Sequence, residues 1–512
     1  MNAFTVNVYS HHFVVSNFNR QGRDALIRYA MEFAEYELVK RWTGESENVL
    51  KRFYAASTRS RDEFRFHIHA LEGFYEYMER VGYPVSDMEI KHHQMFDPVQ
   101  VELEMIDSFA LRDYQVPITN YIIEPGKTKL ATLQAGQGKT SLTLAALCEI
   151  GFRTAIVIRG MFVDRWIQDL TGPKSIVKTK KSDIMVVRGS KDLRNLIALA
   201  KAGELHAKII IITNKTLYNF FEHYEMFPHD VAQYGCTPVD LYQTLGVGVR
   251  VIDEVHLDFH LNFRQDLYTH VHKTISLSAT LEANTPTIER MYRVVFPNNI
   301  RIDNGAVKRY TAVKAIMYRL HDPYKAQYTQ RGRDSYNHIA YEEWIMGSKQ
   351  LTNNYLDMIE TCVWKYFTGL DDYVKGQRMI IFAGSIEMCE RITGYLRKRY
   401  PEWEVNKYTA EDEYETLLKS DICVSTLLSA GTAVDIPGLR VVLMTTAIGS
   451  TSANLQALGR LRELHIYPGV IPHFLYLTCT DLKPHNTYHD LKLEKFNGRV
   501  LSHQIVEMGM KL

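Results

Sequence analysis

At 512 residues the chain is too long for a single hydrophobic core, and two or three domains are expected. Apolar residues make up 46% and charged residues 23%, which places it among ordinary globular proteins. A net charge of +1 and an isoelectric point near 7.7 exclude a globally basic nucleic-acid binder, for which values above about 9 are usual, so any grip on nucleic acid must be local.

Residues 1–97 read as a small α+β module. FTVNVYS (4–10) and HFVVSNF (12–18) are predicted strands, and Arg23 to Trp42 a long helix with Leu26, Tyr29, Ala30, Phe33 and Tyr36 as its apolar positions. Strands over 50–57 and 64–69, a helix over 71–80 and a strand near Met88 complete it. Lys51, Arg52, Arg59, Arg61 and Arg65 form an exposed-looking basic group, read first as a solvated face. The pairs His11-His12 and His92-His93 are adjacent in sequence, so in strands they point to opposite faces and make poor joint metal ligands.

Asp97-Pro98 marks a boundary, after which strand and helix patterns alternate as in a parallel, doubly wound sheet. Predicted strands follow at 130–133, 154–158, 208–213, 250–253 and 274–278, with a helix over 162–170. A second series starts after about residue 305, with strands at 312–318, 378–382, 421–424, 440–445 and 473–477. Two sheets of similar rhythm predict two similar lobes, 98–305 and 306–512, with a cleft between them. Residues 319–377 exceed what a crossover needs, and their loop with Arg331 and Arg333 is flanked by Tyr324, Tyr328 and Tyr336. Such interleaving suits a nucleic-acid-contacting insertion, and equally a surface loop.

The stretch LATLQAGQGKTSLTLAALCEIG (130–151) carries the clearest chemistry. An apolar strand breaks into a loop holding Gly136 and Gly138, then Lys139-Thr140 and a helix pattern. Strand, glycine loop and helix N-terminus together cradle phosphates with backbone N–H groups. In this geometry Lys139 reaches the β/γ-phosphates and the Thr140 hydroxyl takes Mg²⁺. The full pattern wants a glycine where Leu133 stands. The triplet Gly126-Lys127-Thr128 lacks a preceding strand and is read as a turn. Downstream, Val251-Ile252-Asp253-Glu254-Val255-His256 ends a buried strand in two carboxylates. Mg²⁺–ATP hydrolysis needs such a pair, with Asp253 on the metal and Glu254 on the attacking water.

In motif order the chain resembles superfamily-two helicases of the DExH type over roughly residues 108–465. The resemblance implies two tandem RecA-like P-loop motor lobes behind the α+β module, an ATP-hydrolysing activity, and ATP and Mg²⁺ as cofactors. It makes Arg112-Asp113-Tyr114-Gln115 an adenine-reading motif, Ala135–Thr140 the P-loop, Asp253–His256 the DExH box and Leu277-Ser278-Ala279-Thr280 the SAT motif that couples hydrolysis to lobe movement. Arg159-Gly160 and Thr213-Asn214-Lys215-Thr216 fall where the family touches the nucleic-acid backbone, with Thr426, Arg331 and Arg333 as further candidates in the second lobe. In Gln456-Ala457-Leu458-Gly459-Arg460, Gln456 would face the γ-phosphate. The arginine finger is Arg460 or Arg462, since Glu463 stands where the family places its second arginine. The stretch 429–437 mixes two family patterns, and Asp435 would touch ribose or the finger.

The layout of a small module before two lobes resembles the phage UvsW-like branch-migration helicases, akin to RecG. It implies a DNA helicase or translocase on branched or duplex DNA, serving recombination, repair or replication, with the module at the junction. The alternatives are an RNA helicase and a nucleotide-gated nucleic-acid-binding scaffold without turnover. Six cysteines without a CxxC pair give no zinc or disulfide framework and fit a reducing cytoplasm, the host's if the protein is phage-encoded. No signal peptide is expected in MNAFTVNVYSHHF, and no apolar run approaches the roughly 18 residues of a membrane span. A monomer without a membrane partner is expected.

Overall fold

Alternating apolar residues in the first ninety positions build a five-stranded mixed sheet. Its strands are β1 (Phe4–Val8), β2 (His12–Ser16), β5 (Ala55–Ala56), β6 (Phe64–His67) and β7 (Met88–His92), in the order β5-β6-β2-β1-β7. Two further strands, β3 (Ala34–Lys40) and β4 (Ser46–Arg52), form a separate antiparallel hairpin. A computed structural model describes the chain apart from residues 1–3, 41–45, 57–61, 134–136, 174, 280, 282, 284, 304–308, 330–334, 410, 411, 413 and 431–435.

The long helix expected over 23–42 is corrected here: the helix spans Arg20–Met31 and the chain then turns into β3. Leu26, Tyr29 and Ala30 face the core as the periodicity requires. Beyond Phe33 the pairing of Ala34 with Arg52 through Lys40 with Ser46 takes over, a partner that local periodicity cannot reveal. The basic group is also narrower than expected. Arg65 has its side chain only 13% exposed and its guanidinium lies 4.9 Å from the Tyr268 ring centre, while Arg59 and Arg61 lie outside the described residues.

By compactness the chain divides into Met1–Asn304 and Gly305–Leu512. Within the first unit the N-terminal module is fastened to the parallel sheet that follows. His270 Nδ1 accepts from the Ser10 N–H at 3.2 Å, Ser10 Oγ accepts from the Val271 N–H at 3.0 Å, and His12 Nδ1 bonds Thr269 O at 3.1 Å. His12 is therefore a buried fastening of the module, while His11, also buried, lies with its Nδ1 2.8 Å from Ser10 Oγ.

The first unit's main sheet comprises β8 (Thr128–Thr132), β9 (Thr154–Ile158), β10 (Ile184–Val187), β11 (Ile209–Thr213), β12 (Val249–Ile252), β13 (Lys273–Ser278) and β14 (Arg301–Asp303). The second unit's sheet comprises β15 (Ala312–Arg319), β16 (Arg378–Ala383), β17 (Val405–Tyr408), β18 (Ile422–Thr426), β19 (Leu439–Met444), β20 (His473–Cys479) and β21 (Ser502–Lys511). All neighbours in both sheets are parallel. Counting each sheet's strands from its own first, both run 3-4-2-5-6-1-7. The RecA-like arrangement thus occurs twice in one chain.

The reason is visible in the strand sequences. Central strands such as IIIIT and TAIVI are runs of mostly β-branched residues buried on both faces, as strands between two helical layers must be. In the second unit the faces resolve into two cores. Ile381, Val424, Leu443 and Leu475 point into one, and Ile380, Cys423, Val442 and Phe474 into the other. Because every strand runs the same way, all C-terminal strand ends of a sheet lie along one edge, where open α/β sheets place their ligands.

Candidate active site

In the first unit that edge collects the ends of β11, β9, β12, β13 and β8, neighbours in that order. After β8 the chain passes through the P-loop into the helix Lys139–Ile150. Gly138 caps this helix at φ +78°, and a Cβ there would collide with the Gln115 amide, so both conformation and space call for glycine. Gly136 lies outside the described residues, as do Ala135 and Thr280. Thr140 occupies the first turn of the helix and is half-buried.

The end of β12 delivers Asp253 and Glu254 to the same place. Glu254 Oε1 lies 2.5 Å from Lys139 Nζ, and its Oε2 accepts from the Ala279 N–H at 3.3 Å. Glu254 stands at φ +49°, a left-handed conformation unusual for a non-glycine residue. The strain is of a kind that concentrates at functional sites. Asp253 accepts from Trp166 Nε1 and from the Glu254 N–H, each at 3.0 Å. Burial and the neighbouring Glu254 charge push the Asp253 carboxyl up. Burial is the largest single influence and opposes ionisation of Glu254, but the Lys139 ammonium together with His256 and the Ala279 N–H holds that carboxyl below its ordinary value. His256 Nδ1 lies 2.8 Å from Ser278 Oγ, joining the segment after β12 to the end of β13. Burial lowers its pKa to about 4, so the ring is neutral near pH 7.

These groups fit a hard divalent cation. Asp253 and Glu254 bring two carboxylates against the single charge of Lys139, and Thr140 follows Lys139 in the first turn of the helix. Carboxylate and hydroxyl oxygens suit Mg²⁺ better than softer metals. Asp253 and Thr140 are the residues that would hold it.

Gln115 lies at the start of the helix Gln115–Ile123. Its Oε1 accepts from the Arg112 N–H and its Nε2 donates to Gln137 O in the P-loop, both at 3.0 Å. Tyr114 Oη donates to the same carbonyl at 3.1 Å, and Arg112 Nη1 donates to Tyr114 Oη at 3.3 Å. The expected adenine-reading segment is thus tied to the phosphate loop. Lys273, absent from the sequence reading, holds the far end of this helix by donating to Ile122 O, Ile123 O and Glu124 O at 2.7, 3.1 and 2.6 Å.

Further along the edge, Arg159 follows β9 and Thr213 ends β11. Arg159 Nε and Nη2 donate to Asp258 Oδ2 and Oδ1 at 2.7 and 2.6 Å, and Asn214 Nδ2 donates to Oδ2 at 3.1 Å. Thr213 and Thr216 share a hydroxyl hydrogen bond of 2.7 Å, and Lys215 is exposed beside Tyr218. Sequence reading missed Trp166 and Asp258. A buried indole N–H needs an acceptor, which was the available signal for Trp166. Asp258 offered only its place two residues after His256.

The second unit holds the remaining candidates. Gln456 is half-buried on the helix Thr451–Leu458, Arg460 is 8% exposed, and Arg462 is more accessible. Thr426 ends β18, and its hydroxyl lies 2.9 Å from Ser429 Oγ. Asp435, Arg331 and Arg333 lie outside the described residues. No helix among the described residues is long and apolar enough to cross a membrane.

No family model matches the chain, and no curated protein sequence does. Among solved structures, Mss116p with its NTE and C-tail deleted, bound to ssRNA and AMP-PNP, is similar at 16% identity and a TM-score of 0.48, covering 78% of this chain and 74% of that one. The crystal structure of T4 UvsW is similar at 11% identity and a TM-score of 0.33, covering 98% of this chain and 99% of that one.

Proposed function

We propose that the chain is an ATP-dependent DNA helicase or translocase acting on branched or duplex DNA. The observation that carries this reading is the Lys139–Glu254 pair at the strand-end edge, with Glu254 in its left-handed backbone and Asp253 beside it. Lys139 neutralises charge on the β/γ-phosphates. Glu254 accepts hydrogen bonds from the attacking water and aims it. Gln115 and Arg112 take the adenine side, and Gln456 faces the γ-phosphate. Arg460 or Arg462 would supply the arginine finger, as the motif order implies. When bound at Asp253 and Thr140, Mg²⁺ would neutralise charge on the phosphates.

Duplicated lobes suit a motor that steps along a backbone as ATP is bound and released. Arg159, Thr213 and Lys215 in the first unit, with Thr426, Arg331 and Arg333 in the second, would carry the phosphate grip, which makes binding tolerant of sequence and sensitive to salt. The N-terminal module takes the junction-recognising role.

The test is ATP-driven strand displacement on a labelled four-way DNA junction, a forked DNA duplex and an RNA duplex of matched length. Resolution of the junction supports branch migration. Activity on the RNA duplex alone moves the protein to the RNA helicases, where 2′-hydroxyl dependence would follow. ATP binding without turnover on any substrate leaves the nucleotide-gated scaffold.

A further inference from the structure

Two cation–carboxylate pairs in the first unit sit at the two ends of one turn. The Leu257 N–H donates to Glu254 O at 2.9 Å, closing the chain between Glu254 and Asp258. The turn is fastened by the Val255 N–H to Leu277 O and by Asn262 Nδ2 to Val255 O, both at 3.0 Å. At its first end Glu254 engages Lys139. At its second end Asp258 fills the guanidinium fork of Arg159 and takes the Asn214 amide, while Leu257 O accepts a further bond from Arg159 Nη2 at 2.9 Å.

Each carboxylate therefore occupies the cation that a phosphate would need: Lys139 in the phosphate loop, and Arg159 at the end of β9. A phosphate oxygen and a carboxylate cannot share one guanidinium fork without like-charge repulsion. The second pair is also reachable, with the Arg159 side chain 34% exposed and that of Asp258 20%.

We infer that Asp258 is a positioning residue that couples the two phosphate sites. Without nucleic acid it holds Arg159. A backbone phosphate arriving at Arg159 and Asn214 displaces it, frees the second end of the turn and loosens the hold of Glu254 on Lys139, so that ATP phosphates take Lys139 more readily. ATP binding acts back along the same turn, because coupling between two sites is reciprocal. This inference rests on reading the first unit as part of a nucleic-acid-stimulated ATPase.

The test is the KM for ATP with and without a blunt DNA duplex, together with duplex affinity, in wild type, Asp258→Asn and Arg159→Lys. In wild type the duplex lowers KM. D258N shows that lowering without duplex, by about fivefold, binds the duplex more tightly, and responds less to it. R159K keeps a cation but loses the fork, and its nucleic-acid-free KM falls in the same direction. If D258N melts early, R159K decides the matter alone. A stimulated wild type beside variants whose nucleic-acid-free KM is unchanged overturns the proposal and leaves the motor reading intact. So does D258N with weaker duplex binding and unchanged KM, the signature of a residue that merely holds Arg159 in place. A wild-type ATPase indifferent to DNA and RNA alike overturns the motor reading, and the inference with it.

Discussion

At Glu254 an unusual backbone conformation and a charge pairing meet in one residue. Its left-handed backbone, its pairing with Lys139 and its lowered pKa all serve a carboxylate that must be ionised and fixed in place. Glu254→Gln keeps the shape and loses the charge, so ATP binding should persist while turnover falls by about a hundredfold or more, read by nucleotide binding beside steady-state hydrolysis. Lys139→Ala should abolish turnover, and a normal rate in that variant would remove the P-loop assignment. Trp166 donates to Asp253, a bond that lowers a carboxyl pKa already raised by burial. Trp166→Phe removes that donor and should move the acid limb of the pH–rate profile to higher pH. Lys139, Asp253 and Glu254 were legible in the sequence because each lies in a short local pattern. Trp166, Asp258 and Lys273 were not, because their roles exist only once distant strand ends and helix ends meet.

At the scale of elements, the central strands announced themselves and the edges did not. β10, β14, β17 and β21 flank their sheets, and all four escaped the sequence reading. A strand with one neighbour needs no continuous apolar run, and VNKY and SHQIVEMGMK show none, whereas β10 was missed although its IMVV is wholly apolar. The misplaced helix end near Met31 has a related cause, since only the β4 partner converts 34–40 into a strand. Lys273 acts at this scale too. It opens β13 yet satisfies three carbonyls at the end of the helix that starts with Gln115. Lys273→Met should destabilise the protein by about 1–3 kcal/mol, measured by urea unfolding, and raise the KM for ATP as that helix shifts.

The whole molecule is a duplication of one strand order behind a module fastened to the first copy. The doubling was legible as rhythm. The shared order was not, because crossovers leave no mark in sequence. Stability should also show a shared acid response. His69, His256 and His503 each have their pKa lowered by burial from 6.5 to about 4. Between those values the unfolded chain binds protons that the folded chain refuses, so stability is full above pH 6.5 and falls as pH drops toward 4. Melting temperature followed across that window checks it, and a flat profile would contradict the burial of these rings.

The most direct measurement is the steady-state ATPase rate with no nucleic acid, then with single-stranded DNA, duplex DNA, a four-way junction and RNA, with Lys139→Ala as control. Strong stimulation by duplex or junction DNA is expected, and none in the variant. Stimulation by RNA alone would contradict the DNA assignment, and no turnover under any condition would contradict the motor itself.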